Sequence, residues 1–228
     1  MNQRTILIIG GSRGIGLAVS EYYAQKNINL ICVSRSPSNY GTWIEADIGT
    51  QVGVDKIAEF FEGKKIDALL FLGGTWEQNA FTEQYDFLTS DFAEIDQVIA
   101  VNCIAPIKIV KALFNSLKLS TNPKAIFIGS LSGLENKASR EVANSASKYG
   151  LRGAIHALQR ELKDSHIGFT VINPGNVATP EVFNDIKTGA FQEQKPIPLE
   201  DLISVIECAL NVSSFVYIPE INIAQLDS

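Results

Sequence analysis

Two groups of residues in this chain of 228 have the types and spacing for chemistry. The first is Gly10-Gly11-Ser12-Arg13-Gly14-Ile15-Gly16, directly after the apolar run Thr5-Ile6-Leu7-Ile8-Ile9. A strand, a glycine turn and then a helix make a site for a pyrophosphate. Gly10 permits the tight turn, Gly14 lets the backbone approach phosphate oxygens, and Gly16 lets helix and strand pack closely. The helix N-terminus adds N–H donors and a partial positive charge, which brings Ser12, Arg13 and Ile15 into the same site. The spacing Gly-x-x-x-Gly-x-Gly departs from the commoner Gly-x-Gly-x-x-Gly, and glycines also end strands for steric reasons alone. The second group is Asn144-Ser145-Ala146-Ser147-Lys148. Four residues apart on a helix, Asn144 and Lys148 share one face.

The charge beside the turn narrows the ligand. Arg35 closes the second strand-like run, and Ser34 stands where an acid would bind the ribose hydroxyl of NAD. An acid there repels a 2′-phosphate, whereas a serine beside an arginine accepts one. Arg13 reaches from the glycine turn towards the same phosphate. The pair favours NADP(H) over NAD(H); the plainer reading of Arg35 is a solvated charge at a strand end.

Such residues need a scaffold. Strand-like runs fall at 5–9, 29–34, 42–46, 68–72, 125–129, 169–173 and 215–218, and helix-like stretches at 14–25, 54–61, 91–116, 140–163 and 199–210. Several strands are apolar throughout, as a parallel sheet covered on both faces requires. Alternating βαβ units with right-handed crossovers predict an α/β fold, a Rossmann-type doubly wound parallel sheet. No repeat or linker divides the chain, so residues 1–228 read as a single domain with a short lid segment at about 179–198.

Bulk properties exclude several classes. Net charge is −6 and no Lys/Arg run is present, which argues against nucleic acid. No apolar run approaches the roughly 20 residues of a membrane span, and the start lacks a signal-peptide layout. Cys32, Cys103 and Cys208 read as reduced, buried thiols of a cytoplasmic protein. His156 and His166 are the only histidines, so no metal site is expected. His156 falls about 12 Å along the helix from Lys148.

Taken together, the chain resembles the short-chain dehydrogenase/reductase family of classical type over nearly its whole length. Beyond the glycine turn, Asp47-Ile48 resembles the family's adenine-contacting dipeptide, and Asn102 in Ala100-Val101-Asn102 resembles its active-site Asn. Ser130 in Ile128-Gly129-Ser130-Leu131-Ser132-Gly133 matches the active-site Ser, and Lys148 the active-site Lys that also grips the cofactor ribose. Asn173-Pro174-Gly175-Asn176-Val177-Ala178-Thr179 resembles the segment that contacts the nicotinamide carboxamide, assigning Pro174, Gly175, Val177 and Thr179 to the cofactor. The resemblance implies that Asn102 supports Lys148 through a water. It also implies self-association, as homodimer or homotetramer, through the long helices at 91–116 and 140–163.

Two departures stand out. Where the family shows Asn-Asn-Ala-Gly, this chain has Phe71-Leu72-Gly73-Gly74, which keeps Gly73 and Gly74 for the cofactor but loses the amides. Where the family has Tyr-x-x-x-Lys, the residue four before Lys148 is Asn144. An Asn can hydrogen-bond a substrate oxygen but has no proton to give, and general acid–base catalysis is worth about 10²–10⁴-fold. Tyr149 points about 100° away around the helix and is expected to pack against a neighbour. Lys148 could itself act if burial lowered its pKa; Ser132 reads as a turn residue.

On the substrate side, Phe183, Ile186 and Phe191 lie in the lid segment, and Trp76, Phe81 and Tyr85 follow the fourth strand. These aromatics either line an apolar pocket or anchor loops. The short lid points to an open site for a bulky or carrier-borne substrate, so the expected partner is a small-molecule or carrier-borne substrate. The leading reading is an NADP(H)-dependent oxidoreductase of a carbonyl/alcohol pair with weakened proton transfer. An inactive nucleotide-binding homologue in sensing or partner binding is the alternative, and a non-redox enzyme of isomerisation or elimination a third. An Asn144→Tyr substitution separates the first two.

Overall fold

The computed structural model describes residues 3–189, 191 and 194–226. Seven strands form one parallel sheet. They are β1 (Arg4–Ile9), β2 (Ile28–Ser34), β3 (Thr42–Glu45), β4 (Ala68–Phe71), β5 (Lys124–Ile128), β6 (Gly168–Pro174) and β7 (Glu220–Ile223). The helices between them are α1 (Gly14–Ala24), α2 (Gln51–Phe60), α3 (Phe92–Ile99), α4 (Ala105–Lys118), α5 (Val142–Glu161), α6 (Pro180–Thr188) and α7 (Leu199–Asn211). The sheet order is β3-β2-β1-β4-β5-β6-β7. The chain thus steps outward from β1 to β3, then returns to build β4 to β7 on the other side. A crevice opens where the order reverses, above the carboxyl ends of β1 and β4.

Strand periodicity explains the two cores. Leu7, Ile9, Leu69, Phe71 and Phe127 face one way and bury against α2, α4 and α5. Ile6, Ile8, Leu70 and Ile126 face the other way against α1 and α7. Alternate residues point to opposite faces, so a strand covered on both sides is apolar at every position. This is the single-domain, doubly wound α/β architecture anticipated above.

Four expectations need correction. The last strand is Glu220–Ile223, where Asn222 pairs with Asn173, and not 215–218. Phe215 is 97% exposed, because the 213–218 stretch crosses the sheet end as a loop whose Ser213 and Val216 carbonyls accept Lys124 Nζ at 3.0 and 2.6 Å. The expected lid contains a helix, α6, capped by Thr179 with Pro180 in its first turn and Gly189 at its end in the left-handed region. Residues 190, 192 and 193 of that segment lie outside the described residues. Of the three thiols only Cys32 is buried; Cys103 is half-buried and Cys208 exposed. Finally, the helical run Phe92–Lys118 is long and apolar enough to cross a membrane by length and composition. Here Val98, Ala105, Ile109, Leu113 and Leu117 are buried inside the fold, so its apolar face is a core face.

That run is interrupted. Ala100–Ile104 forms a π-turn between α3 and α4, with the Ala105 N–H bonded to the Ala100 carbonyl. Such turns tend to mark functional positions, and this one carries Asn102.

Candidate active site

A cavity of about 400 Å³ occupies the crevice. Among the residues expected to form the site, all but Gly16 and Asn102 line it.

At one end lies the glycine turn. A Cβ on Gly10 would sit 2.5 Å from the Gly73 backbone, so β1 and β4 can approach this closely only because position 10 is glycine; a Cβ on Gly73 would meet nothing nearer than 3.5 Å. A Cβ on Gly16 would collide with the Gly10 carbonyl, which makes Gly16 a packing residue beneath the turn. Gly14 is different. Its φ is +52° and its open side faces the cavity, with Glu181 of α6 the nearest group at 3.8 Å from a Cβ position. Arg13, the N-cap of α1, makes no side-chain cap. The first amides of α1 are left for an anion.

Ser34, Arg35 and Ser36 adjoin this turn at the end of β2. Ser34 Oγ donates to the Ser36 carbonyl at 2.7 Å. Arg13 and Arg35 are exposed, and neither forms an ion pair among the described residues. Asp47 and Ile48 form the next wall; Asp47 Oδ1 is held by the Gly49 amide at 2.9 Å.

At the other end, Ser130, Asn144 and Lys148 converge. Ser130 Oγ accepts two hydrogen bonds from Ser132, one from its amide at 3.1 Å and one from its hydroxyl at 2.9 Å. The Ser130 proton is therefore free to point into the cavity, and Ser132 is its orienting partner. Asn144 is 4% exposed, and no described residue hydrogen-bonds its side-chain amide. Lys148 Nζ donates to the Ile128 carbonyl at 3.2 Å. Burial pushes its ammonium down to about 8, although part of the side chain still meets the cavity.

Asn102 does not reach the cavity. Its amide donates to the Thr75 carbonyl at 2.6 Å and to Ser147 Oγ at 3.1 Å, and its oxygen accepts the Thr75 N–H at 2.9 Å. With both donors used inside the protein, it braces the loop after β4 instead of a ligand. Ser147 passes the link to the Asn144 carbonyl at 2.7 Å.

Neither nearby phenol, Tyr149 or Tyr85, lines the cavity. The Tyr149 hydroxyl bonds the Leu134 carbonyl outside the cavity. Tyr85 is 5% exposed and accepts the Val142 N–H at 3.1 Å, which makes it a loop anchor. Burial and the carboxylates of Glu77 and Glu141 push its pKa up. His156 pairs with Glu220 at 2.9 Å, away from the cavity. Trp76, Phe81 and Phe191 do line it, as do Glu181, Val182 and Asp185 from α6. Phe183 is 56% exposed and takes no part.

Sequence reasoning missed two carboxylates. Glu77, 2% exposed, accepts the Ala143 and Asn144 amides at 2.7 and 3.1 Å. Glu141, 3% exposed, accepts the Phe81 amide at 2.8 Å. They tie the loop after β4 to the first turn of α5.

Known proteins share this fold. A short-chain dehydrogenase/reductase of Penicillium canescens is 26% identical over 195 residues, covering 81% of this chain and 73% of its own. The structure of an ElxO variant with NADPH bound superposes with a TM-score of 0.83 at 18% identity over 97% of both chains. A 4-hydroxyisoleucine dehydrogenase complexed with NADH gives 0.78 at 23%, covering 97% of this chain and 96% of the other. At these identities the two structures speak for the fold alone. The sequence pattern of the short chain dehydrogenase runs through residues 4–188, from β1 to the end of α6, and the chain belongs to that family.

Proposed function

We propose that the protein is an NADP(H)-dependent oxidoreductase acting on a carbonyl/alcohol pair, with proton transfer altered by Asn144 in the position of the family's Tyr. The single observation that carries the cofactor reading is at the end of β2. Arg13 and Arg35, both without an acidic partner among the described residues, line the cavity beside Ser34, where NAD-selective sites place an acid. The uncapped amides of α1 suit the pyrophosphate, Asp47 and Ile48 the adenine side, and Gly73, Gly74 and the 174–179 segment the nicotinamide side. When bound, the nicotinamide supplies or accepts the hydride.

The chain's own residues do the rest. Ser130, its proton freed by Ser132, donates to the substrate oxygen, and the Asn144 amide supplies a second donor. Lys148 holds the ribose hydroxyls. With a pKa near 8 it is also the cavity's source of a proton near neutral pH, passed through Ser130 or water. The substrate is a small or carrier-borne molecule.

The test is a titration with NADPH and NADH, read by nucleotide fluorescence and thermal shift. Tight NADPH-selective binding is expected, and binding of neither sinks the reading. Asn144 favours a second reading, a nucleotide-binding homologue without turnover; NADPH binding with no activity across a carbonyl panel, unrelieved by Asn144→Tyr, would select it.

We further place the protein in the cytoplasm, as a self-associating assembly without nucleic-acid or membrane partners. Ile104, Ile107, Val142 and Tyr149 leave an exposed apolar surface on the π-turn, α4 and α5. A monomer in sizing chromatography would contradict this.

A further inference from the structure

The loop between β4 and α3 is built with more care than a connection needs. Thr75 is held through both backbone groups by Asn102. Glu77 and Tyr85 together take the amides of Val142, Ala143 and Asn144, the first-turn donors that α5 leaves unbonded. In return Glu141 reaches back to the Phe81 amide. Phe81 has φ +67°, a left-handed backbone that a bulky residue keeps only when its surroundings hold it. The buried carboxylate of Glu141 is that hold.

What the clamp positions is an aromatic wall. The Trp76 and Phe81 rings meet edge to face at 6.0 Å, and Phe81 and Phe191 do so at 5.9 Å. All three line the cavity, and Trp76 is 51% exposed, a large apolar surface left uncovered by the described residues. The wall adjoins Asn144 through the same contacts that cap α5. Charge completes the picture. Among the described lining residues the cations are Arg13 and Arg35 at the nucleotide end and Lys148, whereas α6 contributes Glu181 and Asp185.

We infer that this end of the cavity is a preformed aromatic slot that takes a flat, apolar, uncharged carbonyl compound or its alcohol, with the oxygen directed at Ser130 and Asn144. The inference rests on the oxidoreductase reading for its chemistry, but the slot itself can be tested without it. Rings meeting edge to face present π-faces and edges that a conjugated ligand complements. Asp185 of α6, whose carbonyl accepts the Phe191 amide at 3.1 Å beside the aromatic wall, disfavours a carboxylate or phosphate on the substrate, whereas Glu181 lies nearer Gly14.

The experiment titrates the full chain with acetophenone and with para-acetylbenzoate, each with and without NADPH. Calorimetry and tryptophan emission report the ketone, while the nucleotide's own fluorescence reports NADPH. Acetophenone is expected to bind at least about tenfold tighter than the carboxylate-bearing ketone. Phe81→Leu, and Phe81→Gly with its easier left-handed backbone, should each weaken acetophenone by about fivefold or more, and NADPH by less. Equal affinity for the two ketones, indifference to both variants, or no acetophenone binding in either arm would overturn the slot. Acetophenone binding with this selectivity in a protein that ignores NADPH would keep the slot and remove the cofactor reading.

Discussion

The two ends of the cavity are built differently. The glycine-turn end, the proposed nucleotide end, is made mostly of backbone: a glycine that lets two strands converge and uncapped helix amides, flanked by two arginines that have no acidic partner among the described residues. The reacting end is made of side chains held by other side chains, as Ser132 holds Ser130 and Glu77 with Tyr85 holds the start of α5. Backbone sites tolerate change poorly but depend on few contacts. Side-chain sites can be re-tuned one residue at a time. On the proposed reading the contrast makes cofactor binding and proton transfer separable, with Asn144 bearing on the second and not on the first.

The sharpest way to break this comparison is Asn144→Tyr. If the reacting end is otherwise intact, carbonyl reduction with NADPH should rise by about 10²–10⁴-fold. NADPH affinity should stay within a few-fold, and a parallel loss of binding would show that the two ends are coupled. Gly16→Val attacks the other end, because a side chain there meets the Gly10 carbonyl. It should cost about 3 kcal/mol of stability by thermal unfolding and abolish nucleotide binding. Arg35→Ala should weaken NADPH by about 10–100-fold, the worth of a charge-assisted hydrogen bond, and leave NADH unchanged; equal losses for both nucleotides would remove the 2′-phosphate assignment.

Two smaller effects sharpen the reacting end. Burial lowers the Lys148 pKa to about 8, below its unfolded value, so the folded state disfavours the ammonium. The resulting loss of stability is fully present below pH 8 and is relieved as pH rises from there towards the unfolded pKa near 10.5. Lys148→Met should therefore be more stable than the parent at pH 7, with the gap closing above pH 8 in thermal melts. A gap independent of pH would mean that packing, not charge, separates them. Ser132→Ala removes one hydrogen bond to Ser130, worth about 0.5–1.5 kcal/mol, and should lower kcat by about two- to tenfold at unchanged NADPH affinity.

How much of this was legible in the sequence depends on how local each feature is. The glycine turn, Ser34 with Arg35, and the Asn144–Lys148 face are short patterns whose geometry follows from a few consecutive residues, and the cavity gathers all of them. The Phe-Val-Tyr-Ile run at 215–218 has strand composition, yet Glu220–Ile223 makes the pairing, because edge registry depends on the neighbouring β6. Helix α6 did carry a local signal in Thr179-Pro180-Glu181, outweighed by the reading of the segment as a lid. Glu77 and Glu141 left no such trace. A carboxylate in a polar loop reads as solvated, and only contacts across some 60 residues of chain reveal that both are buried caps. Asn102 was found by resemblance, but its work inside the protein was not, since it depends on Thr75 and Ser147 arriving at the same point.

The π-turn at 100–104 bears on how this chain tolerates changes of length. Its wider turn gives the helix more residues per revolution than a regular α-helix, much as if one had been inserted. Deleting a single residue there would let the hydrogen-bond ladder become regular, removing a local irregularity that the fold must otherwise support. The two flanks would keep nearly their present register, because the widened turn already absorbs the extra residue. Asn102, inside the turn, would lose its place on Thr75, while the apolar face of α4 stayed on the sheet. The turn thus gives up helix regularity for the placement of one side chain, and a one-residue deletion there should loosen the loop after β4 without unpacking α4.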